Sequence, residues 1–428
     1  MMDTTDTGVT ARLEAKANKR AYTPVFKTAD IMNQHNILVL NCGSSSLKFA
    51  LIDPTSGEQP IAGLAERLGE SLASISYKYQ GKKVSLALPD ADHQQACARI
   101  VELLRELDLE QVIGAIGHRV VHGGERFKES TRIDSQVIDA ISDCQSLAPL
   151  HNPANLTGIR VAQHHYPDKP HVAVFDTSFH QSMPSEAYLY AIPYELYEQH
   201  GVRRYGFHGT SYRYVSQQAI ERLQLNPQDN ALLCAHLGNG SSAAAIRNGN
   251  SVDTTMGLTP LEGLVMGTRS GNVDPNLYDF LADQCGYSLQ QTSRMLNKES
   301  GLLGVSGLSN DMRTLEQAES EGDERARLAI NIYVFTLARQ LAGLATSLGR
   351  LDALVFTGGI GENSSRIRQA VCDRLSILGL ALDRQRNDSN GNQHKGIISA
   401  DDSPHILVIN TNEELMIARD TSALTTTA

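Results

Sequence analysis

The chain has no surplus of basic charge. Its 428 residues carry 38 Lys and Arg against 48 Asp and Glu, a formal net charge of −10. A general nucleic-acid coat or anionic-membrane binder runs the other way, so no nucleic-acid and no membrane partner is expected. Any anion must be met by a local site. The six cysteines (Cys42, Cys97, Cys144, Cys234, Cys285 and Cys372) contain no Cys-x-x-Cys pair, which excludes a disulfide framework or zinc cluster and leaves reduced thiols. No uncharged apolar run reaches the ~20 residues that span a bilayer; the longest helix-like candidate, Leu328 to Leu348, is interrupted by Arg339. Residues 1–35 lack an apolar h-region, and Asp3, Asp6, Glu14 and Asp30 argue against a transit peptide. The expectation is a poorly ordered N-terminal extension on a cytoplasmic protein. There is no Gly-x-x-x-x-Gly-Lys-Ser/Thr, no Gly-x-Gly-x-x-Gly opening a first helix, no His-Glu-x-x-His and no Gly-x-Ser-x-Gly. Walker-type, dinucleotide-dehydrogenase, zinc-protease and serine-hydrolase readings lose their support.

What is present is length, apolar content and glycine. At 41% hydrophobic and 20% charged, the chain can bury a large core without disulfides. Ile37-Leu-Val-Leu40 reads as a buried strand, Asn41-Cys-Gly-Ser-Ser-Ser46 as a glycine turn, and Leu47 to Ile52 as the returning strand. The pattern recurs at Ala231 to Ala235, His236-Leu-Gly-Asn-Gly-Ser-Ser242 and Ala243 to Ile246, which suggests a duplicated domain with a cleft between its halves. Helical spacing over Gln94 to Leu109 and Arg325 to Leu348, the latter stopped by Gly349, alternates with strands at Val172 to Phe175, Ala353 to Thr357 and Ile406 to Ile409. A glycine turn Gly358 to Asn363 precedes a helix near Ser364, and a last helix follows Asn410 to Glu414. The expected fold class is α/β.

Several of the 34 glycines follow these strands, where a backbone can turn sharply and offer N–H groups to a phosphate. Ser44, Ser46 and Lys48 share a face of a regular returning strand and suit phosphate oxygens or hydrated Mg²⁺. An ordinary hairpin with a surface lysine accounts for the same residues. The repeat at Gly238 to Ser242 shifts the balance towards nucleotide binding. Arg119 in Gly117-His-Arg-Val-Val-His-Gly-Gly124 and Arg269 in Met266-Gly-Thr-Arg-Ser-Gly271 are each buttressed by glycine and suited to a planar carboxylate, or else to a surface ion pair. Asp176, ending a strand, orders a loop or holds a metal or an arginine. The histidines at loop ends (His118, His122, His151, His180, His208 and His236) read mostly as structural hydrogen-bonders.

Longer segments add specificity: Asn41-Cys-Gly-Ser-Ser-Ser-Leu-Lys48, Gly117 to Glu125, Pro149-Leu-His-Asn-Pro153, Val174-Phe-Asp-Thr-Ser-Phe-His180, Arg203-Arg-Tyr-Gly-Phe-His-Gly-Thr210, His236-Leu-Gly-Asn-Gly240, Glu262 to Arg269, Gly358-Gly-Ile-Gly-Glu-Asn363 and Thr411-Asn-Glu-Glu-Leu415. On these the chain, from about Asn36 to Ala423, closely resembles the acetate kinases of the acetate and sugar kinase/actin superfamily. The resemblance implies two duplicated ribonuclease-H-like domains flanking an active-site cleft. The N-terminal one would span residues 36–177 completed by 411–428, and the C-terminal, nucleotide-binding one residues 178–410. It implies reversible, direct in-line phosphoryl transfer between ATP and acetate, giving acetyl phosphate and ADP, with Mg²⁺ (or Mn²⁺ in its place), usually in a homodimer. By matching positions, Asn41 and Glu413 fall at the metal site. Asp176 is the essential acid, His208 the transition-state histidine, and Arg119 and Arg269 the arginines at the carboxylate and the phosphoryl. His151 is a further active-site histidine, and Val121, Leu150, Phe207 and Pro260 form the methyl pocket. His236, Leu237, Gly238, Asn239 and Gly240, with Asp311, Met312 and Arg313 and with Gly359, Ile360, Gly361, Glu362 and Asn363, match nucleotide-binding segments. Two positions depart from the family pattern: Tyr212 stands where His is common after Gly-Thr-Ser, and Asn272 where many relatives have Asp, next to Arg269.

Overall fold

The computed structural model describes residues 36–43, 45–149 and 151–426; the 1–35 extension, Ser44 and Leu150 lie outside the described residues. Among the described residues two mixed sheets form. The first contains β1 (Asn36–Cys42), β2 (Ser46–Ile52), β3 (Ile61–Glu66), β4 (Ser74–Tyr79), β5 (Lys82–Ala87), β6 (Ile113–Val120), β7 (Thr131–Arg132) and β8 (His171–Phe175), in the order β5-β4-β3-β2-β1-β6-β8-β7. The second contains β9 (Ala231–Leu237), β10 (Ser241–Arg247), β11 (Asn250–Thr254), β12 (Ala353–Thr357) and β13 (His405–Val408), in the order β11-β10-β9-β12-β13. In each, a first strand pairs antiparallel with the strand it turns into and parallel with a later one. The run β3-β2-β1-β6-β8 therefore repeats as β11-β10-β9-β12-β13, and the duplication expected from two glycine turns extends to five strands per half.

The parallel strands at the centre of each sheet are buried on both faces, which is why they read as continuous apolar runs. On β1, Leu38 and Leu40 join the core under the helix His93–Glu106, while Ile37 and Val39 join Ala115, Val172 and Val174 under the C-terminal helix Glu413–Thr425. That helix approaches β6 closely: a Cβ on Gly117 would lie 2.5 Å from Thr421 Oγ1 and 2.7 Å from Ile417 Cγ2. In the second sheet, Leu233, Ala235, Leu354, Phe356 and Ile406 pack against the long helix Glu324–Ala345, and Leu232, Cys234, Val355 and Leu407 against the helix Gly209–Leu223. The long helix is long and apolar enough to cross a membrane. Its Ile330, Tyr333, Val334, Leu337 and Leu341 nevertheless lie buried in this core, so its apolarity is accounted for by packing.

The expected elements recur with shifts of a few residues at their ends. One expected loop differs: Gly358–Asn363 forms a short helix. Gly358 has φ +76° and sits where a Cβ would meet the Leu237 carbonyl oxygen at 2.8 Å, so only glycine lets the chain turn there against β9.

Candidate active site

The period of two along the parallel strands decides which side chains meet. Ile37, Val39 and Asn41 on β1, and Ala115, Gly117 and Arg119 on β6, share the face under the C-terminal helix, as do Val172, Val174 and then Asp176 just beyond β8. Asn41, Arg119 and Asp176 each lie within one residue of the carboxyl end of their strand, where open α/β sheets place ligands. Arg119 donates from Nε to Asp176 Oδ1 (2.9 Å), from Nη2 to Asp176 Oδ2 (2.5 Å) and from Nη1 to Asn41 Oδ1 (3.0 Å). This is a two-pronged charge-assisted pair with Asp176 almost wholly buried. Burial alone would lower the Arg119 pKa, but the Asp176 carboxylate outweighs it and holds the guanidinium charged.

The C-terminal helix begins at the same place. Glu413 is its first residue, and Asn412 caps it by accepting from Leu415 N. Burial pushes Glu413 up to about 7, with Arg119 opposing and Asp176 and Glu414 adding to the rise. Lys48, on the same sheet face, lies 3.3 Å from Glu414 and is exposed. Ser46 folds back on the first turn, its carbonyl accepting from Gly43 N at 2.8 Å.

The second sheet contributes in the same way. His236 on β9 and Ser242 on β10 lie on the face under the helix Gly209–Leu223, whose start is set by His208. His208 has φ +58°, and Gly209 N donates to Asp176 O at 3.0 Å, tying this helix to the end of β8. A Cβ on Gly209 would lie 2.3 Å from that same oxygen. The rings of His208 and His236 stack with centroids 4.3 Å apart. His208 is held well below the usual imidazole pKa by burial, then by His236, Arg119 and Arg269. Burial and Arg119 lower His236 to about 4, and burial with Arg119 and Arg269 lowers His151 to about 4. Burial and positive charge thus favour the neutral form of all three rings, both arginines acting on His208 and His151 and Arg119 on His236. Arg269 donates from Nη1 to Pro260 O at 3.0 Å, which aims it at the turn Gly238–Gly240. A Cβ on Gly240 would lie 3.5 Å from Arg269 Nη1 and 3.6 Å from His208 Nε2. Asn272 accepts from Gly263 N at 2.8 Å, bracing the loop that carries Arg269.

The glycine segments are stitched together. Gly267 N donates to Asn239 O (3.0 Å), and Asn310 Nδ2 to Asn239 Oδ1 (2.9 Å). Asp311 caps the helix Met312–Ser320 and pairs with Arg313, whose side chain is exposed. Ser364 donates to Glu316, joining that helix to the segment after Gly359, Ile360, Gly361 and Asn363. Leu237 is buried under Gly358. Glu362 has a structural position: its Oε1 accepts from Gly358 N (3.0 Å), Thr411 N (3.1 Å) and Thr357 Oγ1 (3.3 Å), tying the end of β12 to the start of the C-terminal helix. Val121 and Phe207 form an apolar cluster with Ala148, Met256 and Met266; the last three were not singled out by the sequence. Nor was Arg368, fully buried, which donates to Gly361 O (2.9 Å), Asn387 O (2.8 Å) and Asn390 Oδ1 (2.6 Å). Asn155 was also missed: it accepts from Val121 N (3.1 Å) and donates to Cys42 O (2.7 Å). Its spacing from Ile159 and Ala162, which puts it on the apolar stripe of the helix Asn152–His165, was the available signal.

Comparison with known proteins places this geometry. The acetokinase family matches residues 36–419. An acetate kinase of Chromobacterium violaceum is 54% identical over 389 residues, 91% of this chain and 98% of that protein. One of Deinococcus radiodurans is 53% identical over 387 residues, 90% and 97% of the two chains. Among solved structures, a propionate kinase from Francisella tularensis superposes with a TM-score of 0.87 at 46% identity, covering 91% of this chain and 99% of that one. The Porphyromonas gingivalis acetate kinase superposes with a TM-score of 0.84 at 42% identity and the same coverage. With a family match over most of its length, half its residues shared with such relatives and their two-sheet architecture, the chain belongs to the acetokinase family.

Proposed function

We propose that the chain catalyses reversible transfer of the ATP γ-phosphoryl group to acetate, giving acetyl phosphate and ADP. The observation that carries the reading is the convergence of the Arg119–Asp176 fork, His208 and Arg269 beside the turn Gly238–Gly240. Phosphoryl transfer needs positioning and charge neutralisation more than covalent help. Among the described residues Arg119 keeps one unused N–H on each terminal nitrogen after its bonds to Asp176 and Asn41, enough to hold a carboxylate. Arg269 and His208 take up charge on the equatorial oxygens. A carboxylate nucleophile is already ionised at pH 7, so Asp176 acts electrostatically and no general base is required. The carboxylate oxygen bonds to phosphorus as the bond to ADP breaks, without a phospho-enzyme. His236 to Gly240, Asp311 to Arg313 and Gly359 to Asn363 hold the nucleotide, with Ser46 and Lys48 serving its phosphates.

The donor set fits a hard divalent cation. Asn41 and Glu413 offer oxygen ligands, and a cation there would favour the ionised form of Glu413, which burial opposes with Asp176 and Glu414 adding to the rise. Mg²⁺, with Mn²⁺ able to replace it, would be held there partly through water and would supply neutralisation of the nucleotide phosphates. Residues 36–177 with 411–428, and 178–410, are the two domains that close on the substrates. Six free cysteines, four of them buried, suit a reducing cytoplasm. A homodimer is the proposed assembly.

Propionate is the second substrate the pocket favours. Met256 and Met266, flexible and beside Val121 and Phe207, can yield to one more methylene, a difference worth only ~1–3 kcal/mol. Trapping the acyl phosphate with hydroxylamine in the presence of ATP and Mg²⁺, with acetate, propionate and butyrate in turn, tests both statements. The highest kcat/KM is expected with acetate. No acyl hydroxamate from any of them would leave a non-catalytic nucleotide switch as the better reading.

A further inference from the structure

Three side chains in the C-terminal half form a hydrogen-bonded chain that ends at His208. His208 Nδ1 lies 2.9 Å from Ser242 Oγ, and Ser242 Oγ lies 2.5 Å from the Tyr212 hydroxyl. Tyr212 follows His208 by four residues, so the first helical turn brings the two together, and Tyr212 N donates to His208 O at 3.0 Å. Ser242 reaches both because it alternates with Ala244 and Ile246 on the face of β10 under this helix. Tyr212 and Ser242 are fully buried.

The direction of the protons follows from what each group can accept. Burial pushes the Tyr212 hydroxyl far up, so it keeps its proton. Among the described residues, Ser242 Oγ is the acceptor placed to take the Tyr212 proton. The reverse direction would leave a buried O–H without an acceptor, which native structures avoid. With Tyr212 donating, the Ser242 proton is free to point at Nδ1. A neutral imidazole whose Nδ1 accepts carries its proton on Nε2. Nε2 is the nitrogen that faces Gly240, beside Arg269 Nη1.

We propose that Tyr212 is a positioning residue that, through Ser242, fixes His208 as the Nε2–H tautomer and presents a neutral N–H donor next to the charged Arg269. The proposal rests on the reading of His208 as a contact of the transferring phosphoryl. It also gives the tyrosine in Gly209-Thr-Ser-Tyr212 a role, because its hydroxyl sets the hydrogen-bond direction. In the opposite tautomer Nε2 would turn a lone pair towards the anionic phosphoryl oxygens.

The test is the imidazole ¹⁵N spectrum of the full chain labelled at histidine, with the His208 signals assigned from their loss in His208→Gln. In the unmodified protein at pH 7, His208 is expected with Nε2 protonated and Nδ1 bare. Tyr212→Phe is expected to raise the Nδ1–H population. Losing a transition-state donor outright costs about 10²–10³ in kcat; a mixed tautomer keeps part of it, so about a ten-fold fall is expected, with KM for acetate and ATP held within about two-fold. Ser242→Ala gives the same spectral reading should Tyr212→Phe fold poorly. A His208 already protonated at Nδ1, or a tautomer unmoved by both substitutions, overturns the proposal. Because the spectrum is recorded without substrate, it is independent of whether acetyl phosphate is formed, and failure of the kinase reading would show separately.

Discussion

The Arg119–Asp176 fork can be weakened with almost no change of shape by Asp176→Asn. The carboxylate accepts two bonds from Arg119 and is 2% exposed, against 18% for the guanidinium. The amide oxygen of the variant can still accept one bond, but its NH₂ faces a second donor and the arginine loses its counter-charge. Removing one partner of a buried pair costs about 3–5 kcal/mol; the retained bond and the contact to Asn41 bring the expectation to about 3 kcal/mol. A chain of 428 residues unfolds with an entropy of roughly 0.9 kcal/mol per degree, so calorimetry should show a melting temperature lower by about 3–4 °C. The same substitution frees Arg119 from the geometry in which it meets substrate, so kcat should fall by about 100-fold or more while the protein remains folded. A variant that melts and turns over like the parent would refute the claim that this fork holds the site together.

Other perturbations probe separate links. Arg119→Lys keeps the charge but loses the planar fork, and the KM for acetate should rise at least about ten-fold; an unchanged KM removes Arg119 from carboxylate binding. Gly117→Val places a side chain where Thr421 and Ile417 already lie within 2.7 Å, so the C-terminal helix must shift, at about 1–3 kcal/mol of stability measured in urea. Stability should also fall with acid. His122 and His180 are fully buried and lowered by that burial to about 4 from an ordinary 6.5. Between those two values the unfolded chain binds protons that the folded chain refuses. Each histidine therefore withdraws up to about 1.4 kcal/mol per pH unit as pH falls through the window, and neither contributes above pH 6.5. A urea midpoint identical at pH 7 and pH 5 would contradict this.

The sequence was most legible at the ends of buried strands. Asn41, Arg119 and Asp176 stand out because each lies at or beside the end of an apolar strand, and the period of two then puts them on one face. The repeated glycine turn disclosed the duplication because both turns join a strand to its antiparallel return. The meander β3 to β5 was not foreseen, since its strands mix lysine, serine and glycine and are largely exposed on one side. Gly63 there makes room for the Phe49 ring, a constraint that only the fold reveals. Arg368 was missed, and the tie from Glu362 to Thr411 was not foreseen within a segment matched to nucleotide binding, because the partners, Asn387 and Asn390 for one and Thr411 for the other, are distant in sequence. The chain from Tyr212 through Ser242 to His208 was hidden for the same reason: 30 residues separate Tyr212 from Ser242.

The central claim is that Arg269 and its neighbours transfer a phosphoryl group to a carboxylate. Hydroxamate formation from acetate, ATP and Mg²⁺ should be compared for the unmodified chain and for Arg269→Ala, with both shown to be folded. Rapid product is expected from the first and a kcat lower by about 10²–10³-fold in the second. Equal turnover by the two, or no acetyl phosphate from either, would contradict it.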